Sequence, residues 1–340
     1  MGRNGWPSLP GRNGEVEIPA QESPRHGARK VRVYVFYPGG ARSGVGRGTG
    51  LFLSLHNWGG TRATGAPDPE TLAERYNVAA ICVDYLQSGP SDAEKDRIPY
   101  DTGYWQALDA LRALYFVYDG LRARGIAFDR RRFYAAGGSG GGNVSLMANK
   151  LAPRTFACVV SLSGLAGLSN DKAYPHADGR LNARWSRDPE SPNHLARDAQ
   201  EIRDPGLPAH LAQMRRMGNA ARVVCIHGAD DRSCPIGETR RLARNMKAAG
   251  LDVETHYVRE EDVDNDLFLD SGHRIGNRTR LVIHYADEYL RPGSREMRRT
   301  TQPPDFDARD EVVRYETKTG AYVVSYAEGF PVARFEAGVT

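Results

Sequence analysis

The pentapeptide Gly137-Gly138-Ser139-Gly140-Gly141 carries the clearest chemical signal in the sequence. It ends an apolar run, FYAAGG, and opens a segment typical of a helix, so we expect Ser139 at a sharp turn between a strand and a helix. Such a turn tolerates only small flanking residues, and it exposes the hydroxyl at the helix N-terminus. A glycine-rich phosphate loop is the alternative, but no Gly-Lys-Ser/Thr follows and the strand is not the first. The pattern therefore predicts a nucleophilic serine.

A nucleophilic serine needs a carboxylate that orients its base, and a candidate lies downstream. Asp231 belongs to the segment HGADDRSCP, directly after an apolar strand and before a helix predicted to begin at Pro235. A loop at the end of a strand would direct this carboxylate towards Ser139. Asp230 is the alternative acid.

The base is expected in the segment Asp270-Ser-Gly-His273, between a predicted strand and a predicted helix. A histidine in such a loop can reach over the sheet, whereas His256 lies inside a strand and His284 inside a helix. We therefore predict His273 as the base.

Two backbone amides are expected to bind the oxyanion that forms during attack on a carbonyl. One is that of Gly140, which follows the nucleophile. The other is assigned to Trp58 in LSLHNWGGT, where Gly59 and Gly60 allow a tight turn after an early strand. The alternative role of Trp58 is core packing.

The elements that position these residues form an alternating series. The predicted strands are 31–37, 51–56, 78–85, 133–138, 156–163, 222–228 and 253–258. The predicted helices are 69–76, 104–125, 139–152, 236–250 and 277–290. Several strands are apolar at nearly every position, as in strands covered on both faces. The series predicts an α/β fold with a mostly parallel central sheet flanked by helices.

Other segments depart from this alternation. Residues 164–215 form a connection far longer than usual and are predicted to be a cap over Ser139, with Trp185, His176 and His194 as substrate-binding candidates.

After a linker over 291–310, apolar and polar residues alternate over 311–340, with turns between the runs, as in an antiparallel β meander. We expect the meander to dock on its own core or on a second copy, in a homodimer. Residues 1–30 are rich in Gly, Pro and Arg and are predicted to be a mobile tail.

Composition excludes several classes of protein. The chain has 340 residues, and no apolar run approaches the length that spans a bilayer, so we expect no membrane partner. Lys and Arg exceed Asp and Glu only by 46 to 42, which argues against nucleic acid as a partner. The four cysteines show no paired spacing, and we expect neither a metal ion nor a cofactor. No apolar signal segment is visible near the N-terminus, and the expected location is cytoplasmic.

An acidic stretch over 260–270 has two further interpretations. Its Asp-x-Asp spacing resembles a calcium loop, but Leu267 stands where such a loop needs glycine, so a solvated acidic loop is favoured. Recognition of a cationic substrate group is the other interpretation.

The segments HNWGG, GGSGG, HGADDRSCP and DSGH together resemble the α/β-hydrolase superfamily, in its prolyl-oligopeptidase-like and carbohydrate- or polyester-esterase branch. The resemblance covers roughly residues 31–290. It departs from the branch's usual motifs at Asn57, where glycine is common, and at Cys234, where valine is common. It implies an α/β-hydrolase domain over 31–290 with the triad Ser139, Asp231 and His273.

The expected function is that of a serine esterase that hydrolyses a small-molecule carboxylic ester through an acyl-enzyme intermediate. Esters are favoured over amides because an alcohol is the easier leaving group. A peptidase or amidase of the prolyl-oligopeptidase type is one alternative. A non-catalytic binding or assembly module on a hydrolase scaffold is the other. The acyl and alcohol parts of the substrate do not follow from the sequence.

Overall fold

A mostly parallel sheet forms the centre of the protein. The computed structural model describes residues 5–23, 25–89, 98–177 and 181–338, and within these ranges the central sheet has eight strands in the order β1-β2-β4-β3-β5-β6-β7-β8. The strands are β1 (Gly14–Pro19), β2 (Lys30–Phe36), β3 (Gly50–Leu55), β4 (Val78–Asp84), β5 (Phe133–Gly138), β6 (Cys158–Leu162), β7 (Arg222–Gly228) and β8 (Val253–Val258). Strands β3 to β8 pair in parallel, whereas β1 and β2 are antiparallel to their neighbours.

Helices cover both faces of this sheet. They are α1 (Pro69–Tyr76), α2 (Tyr104–Arg122), α3 (Gly140–Leu151), α4 (Asn170–Ala173), α5 (Arg197–Ile202), α6 (Pro208–Arg216), α7 (Ile236–Ala248) and α8 (Arg278–Leu290). All six residues of β3 are buried, and they alternate between two cores: Leu51, Leu53 and Leu55 face the core with α2 and α3, while Phe52 faces the core with α1 and α8. This double coverage explains why inner strands such as β3 are apolar at nearly every position, and it confirms the predicted α/β fold class.

The N-terminal segment differs from the predicted mobile tail. Residues 14–19 form the edge strand β1, which pairs with β2, and Trp6 and Leu9 are buried in the main core. Gln21 and Ala333 exchange two hydrogen bonds, of 2.6 and 2.8 Å, which join this segment to the C-terminal sheet. The Gly- and Pro-rich composition hid the short alternation of GEVEIP, whose Ile18 points into the core.

The predicted C-terminal meander is present as a separate antiparallel sheet of β9 (Val312–Glu316), β10 (Gly320–Ser325) and β11 (Val332–Ala337). It docks on the core of its own chain. The hydroxyl of Tyr315 donates to Lys150 O and that of Tyr326 to Leu151 O at the end of α3. Val313, Tyr315 and Val323 are buried against the same chain, which is the first of the two docking modes expected for the meander, whereas Phe335 stays exposed.

The insertion over 164–215 contains α4, α5 and most of α6, and polar contacts attach it to the core. Arg203 forms a buried ion pair with Asp101 at 2.8 Å. The ammonium of Lys150 donates to Ile202 O and Asp204 O, each at 2.7 Å. None of the helices in the described ranges is both long and apolar enough to cross a bilayer.

Candidate active site

Ser139 occupies the turn between β5 and α3 with a strained backbone. Its φ of 56° and ψ of −118° are unusual for a residue with a side chain, and α3 begins at Gly140 immediately afterwards. A Cβ atom on Gly137 would lie 2.3 Å from the carbonyl carbon of Gly141, so the turn closes only because this position is glycine. The turn holds the hydroxyl above the carboxyl edge of the sheet, at the N-terminus of α3.

Three side chains from distant parts of the chain meet at this edge. His273 Nε2 lies 2.9 Å from Ser139 Oγ, and His273 Nδ1 lies 2.8 Å from Asp231 Oδ2. Ser139 follows β5, Asp231 follows β7, and His273 lies in the loop between β8 and α8. The structure thus brings together all three residues that the sequence assigns to a triad.

The carboxylate of Asp231 is buried and has four hydrogen-bond donors. Its Oδ1 accepts from the amides of Ser233 and Cys234 at 2.8 and 2.9 Å, and its Oδ2 faces His273 Nδ1 and, at 3.2 Å, His227 Nε2. Burial acts to raise the pKa of Asp231, but the hydrogen bonds from His227, His273 and the Cys234 amide outweigh it and hold the pKa well below its usual range. The residue therefore stays ionised beside His273.

His227 is a part of the site to which the sequence analysis gave no role. It is 1% exposed, and its Nε2 faces two acceptors, Cys234 O at 2.7 Å and the Asp231 carboxylate. Because Nε2 must carry the proton, Nδ1 accepts from the Thr239 hydroxyl at 2.9 Å. The sequence feature that could have indicated this role is the position of His227 at the end of β7, four residues before Asp231.

The residues considered as alternatives have other partners. The Asp230 carboxylate accepts from the Ser271 hydroxyl at 2.8 Å. His256 Nε2 lies 2.6 Å from Glu254, and His284 packs against Tyr285.

The backbone segments that carry the two amides predicted to bind an oxyanion approach each other closely. A Cβ atom on Gly140 would be 2.8 Å from Trp58 N, which shows how closely the two backbones approach. Within the described residues, the Trp58 N–H has no hydrogen-bond acceptor. Gly140 is the first residue of α3, so its N–H has no acceptor within the helix. The Trp58 ring stacks on Tyr100 with centroids 3.5 Å apart, which fixes the loop that carries this amide.

Ser139 lines two cavities of different size. The smaller one, of about 20 Å³, is lined by Trp58, Tyr100, Thr102, Ser139, Gly140, Asn143, Leu165, Lys172, Leu181, Ser233 and Cys234. The larger one, of about 670 Å³, is lined by residues that include Ser139, His273, Asn57, Leu269 and Arg278. The two candidate oxyanion amides thus belong to residues of the smaller cavity, whereas His273 lines the larger one.

The three substrate-binding candidates of the insertion are not brought to either cavity. Trp185 and His194 line a separate cavity of about 440 Å³, and His176 Nε2 contacts Asp171 O at 3.0 Å. Trp185 is buried in a small apolar cluster with Tyr100 because its large ring gains most from packing. The insertion does reach the smaller cavity, but through Leu165, Lys172 and Leu181, which are not distinctive in sequence.

A family match relates the chain to known proteins. The model of the prolyl oligopeptidase family matches residues 95–291, more than half of the chain. No curated protein matches the chain.

Many solved structures share the fold, and two of them show the extent of the likeness. The acylaminoacyl peptidase of Pyrococcus horikoshii superposes with a TM-score of 0.54 at 15% identity, over 84% of this chain and 43% of its own. Dipeptidyl peptidase 4 of Porphyromonas gingivalis gives a TM-score of 0.51 at 13% identity, over 82% of this chain and 35% of its own. The chain therefore spans less than half the length of either. The matched family and the shared fold show that the chain belongs to the prolyl oligopeptidase family of serine hydrolases, in the α/β-hydrolase superfamily.

Proposed function

We propose that the protein hydrolyses a carboxylic ester through an acyl-enzyme intermediate, with Ser139 as the nucleophile, His273 as general base and acid, and Asp231 as the carboxylate that orients His273. One observation carries the proposal: hydrogen bonds run without a break from Ser139 Oγ through His273 to Asp231. His273 Nε2 is placed to take the proton of the Ser139 hydroxyl, and Asp231 is placed to hold the proton on His273 Nδ1.

The first half-reaction forms the acyl-enzyme. Ser139 Oγ attacks the ester carbonyl carbon while His273 Nε2 takes the hydroxyl proton, and the carbonyl oxygen becomes an oxyanion bound by the amides of Gly140 and Trp58. The C–O bond to the leaving group then breaks, and His273 Nε2 returns the proton to the departing alkoxide. In the second half-reaction water attacks the acyl-enzyme by the same route and restores Ser139.

The positions of the two cavities suggest which part of the substrate each one holds. The leaving oxygen must lie close to His273 Nε2 to receive a proton, so the alcohol part extends into the larger cavity that His273 lines. The acyl part then lies in the smaller cavity beside Gly140 and Trp58. At about 20 Å³ the smaller cavity has room for little more than a methyl group, so this arrangement favours acetyl esters and tolerates large alcohols.

Amide or peptide hydrolysis is the second candidate function, and membership of the prolyl oligopeptidase family favours it. The same triad would protonate an amine in place of an alkoxide. Hydrolysis of p-nitrophenyl acetate and butyrate, compared with a set of aminoacyl p-nitroanilides at equal concentration, distinguishes the two. We expect kcat/KM to be higher for the esters.

The proposal is tested by labelling with a fluorophosphonate probe and by the Ser139→Ala variant. The wild type should be labelled and Ser139→Ala should be neither labelled nor active. Ser145→Ala is the matched control, because it removes a buried hydroxyl of α3 that, among the described residues, donates to Gly142 O alone. An unlabelled wild type, or a Ser139→Ala variant that keeps its esterase activity, would refute the proposal.

A further inference from the structure

Arg278, the first residue of α8, contacts the backbone of both segments that carry the nucleophile and the base. Its Nη2 donates to the carbonyl oxygen of His273 at 3.0 Å. A Cβ atom on Gly138, the residue before Ser139, would lie 2.9 Å from Arg278 Nε and 3.5 Å from its Cδ. The side chain therefore reaches from the strained turn at Ser139 to the backbone of His273.

The hydrogen bond from Arg278 has no substitute at His273. Among the residues that the structure describes, it is the one hydrogen bond made by the backbone of His273 itself. Arg278 is in turn fixed at the start of a helix, because the side chain of Asn277 caps α8 by accepting from the Arg280 amide at 3.1 Å. The position of the base thus depends on a side chain that is anchored at its own backbone.

The guanidinium of Arg278 remains charged in this place. Burial lowers its pKa to about 10, and the carboxylate of Asp231 acts against that shift, so the group is ionised at neutral pH. Its Nη1 is buried and has no hydrogen-bond partner within the described part of the chain. A buried donor without an acceptor costs free energy, so stability alone does not account for an arginine here.

We infer that Arg278 is a positioning residue, which holds His273 within hydrogen-bond distance of Ser139 by joining the backbone of the base to the turn of the nucleophile. The inference rests on the proposed function, in which His273 Nε2 takes and returns the proton of Ser139 Oγ. These two atoms lie 2.9 Å apart, and proton transfer requires that they stay within hydrogen-bond reach. Loss of Arg278 should therefore lower kcat more than it changes KM.

Arg278→Ala and its rescue by a small cation test this inference. With ethyl acetate, kcat should fall about ten- to a hundredfold, the range of one hydrogen bond from a charged donor, while KM stays within about threefold. Arg278 lines the larger cavity, so guanidinium added at a non-denaturing concentration can reach the vacated space and should raise kcat of the variant at least about fivefold. Urea has nearly the same shape without the charge and should not. A general loss of folding stability would not produce this difference.

Arg280→Ala is the matched control, because Arg280 lies on the same helix and pairs with Asp266 at the surface, at 2.8 Å. Its kcat and KM should equal those of the wild type, with or without guanidinium. If Arg278→Ala fails to fold, Arg278→Lys and Arg278→Met decide instead. The lysine keeps a charged donor, so its kcat should be at least about tenfold above that of the methionine variant.

The outcomes separate this inference from the proposed function. A wild-type kcat in Arg278→Ala, a loss that guanidinium restores no better than urea, or equal kcat in Arg278→Lys and Arg278→Met would overturn the positioning role and leave the esterase intact. A wild-type protein that hydrolyses no ester and is not labelled at Ser139 would overturn the proposed function, and this inference with it.

Discussion

Replacing Asp231 by asparagine should move the proton of the neutral His273 ring from Nδ1 to Nε2. The carboxylate uses Oδ1 to accept from the amides of Ser233 and Cys234 and uses Oδ2 towards His273 Nδ1. An asparagine will keep its carbonyl oxygen on the two amides, because the flipped orientation leaves two buried N–H donors facing an NH₂ group, at about 1–3 kcal/mol each. The NH₂ group therefore faces His273.

That orientation prevents His273 from acting as a base. Its Nδ1 must accept from the asparagine NH₂ group, so the proton moves to Nε2, which then cannot take the proton of Ser139 Oγ. We expect kcat for p-nitrophenyl acetate to fall by about 10³- to 10⁴-fold, which corresponds to about 4–5.5 kcal/mol of barrier, while KM changes little. The NH₂ group also meets the Nε2–H of His227, so the melting temperature should fall as well.

Asp230→Asn is the control for this prediction. Its carboxylate bonds to Ser271, so kcat should stay within a few-fold of wild type. If Asp231→Asn keeps more than a tenth of the wild-type kcat, or if Asp230→Asn proves the more damaging change, the acid has been assigned to the wrong residue.

Three other predictions follow from the geometry. Gly140→Ala places a Cβ atom 2.8 Å from Trp58 N and should lower kcat by about 10²- to 10³-fold. The control is Gly237→Ala, whose Cβ atom meets open space and which should leave kcat unchanged. Equal activities of the two variants would refute the oxyanion assignment. Burial lowers the pKa of Lys150 from 10.5 to about 7, so the unfolded chain binds more protons between these values and stability rises with pH. Urea unfolding should give about 2–3 kcal/mol more at pH 9 than at pH 7, a gain that Lys150→Met should lack; an equal gain in the variant would contradict this origin. Tyr326→Phe should lower stability by about 1 kcal/mol through loss of the bond to Leu151 O without changing kcat, and a large loss of activity would show that the C-terminal sheet acts on the site.

The fold and the positions of the triad residues could be predicted because local signals and the global fold agree. Each central strand carries its own apolar run, and Ser139 lies between glycines that only a strained turn requires. Asp231 and His273 both follow the strands that the parallel order brings to the same edge. Their roles as nucleophile, acid and base could be predicted because few other residue types can perform them.

The surroundings of the triad could not be predicted in the same way. The contact of His227 with Asp231 depends on how the chain turns after β7, which the sequence does not specify. Lys172 and Leu181 reach the site through the irregular path of the insertion, where no periodicity applies. Residue type pointed to Trp185, His176 and His194 and did not find the residues of the insertion that line the cavities beside Ser139, because a large ring such as that of Trp185 gains its packing energy equally well in an apolar cluster away from them.

The paired hydrogen bonds between Gln21 and Ala333 have a consequence for the synthesis of the protein. The two residues are 312 positions apart, and at about 5–20 residues per second the ribosome needs roughly 15–60 s to make the chain between them. During that time β1 can pair with β2, but Trp6 still lacks Phe330, on which it stacks in the finished protein. The apolar residues near Trp6 must therefore wait for a segment made more than 300 residues later, and Phe330, which precedes β11, completes the packing around Trp6.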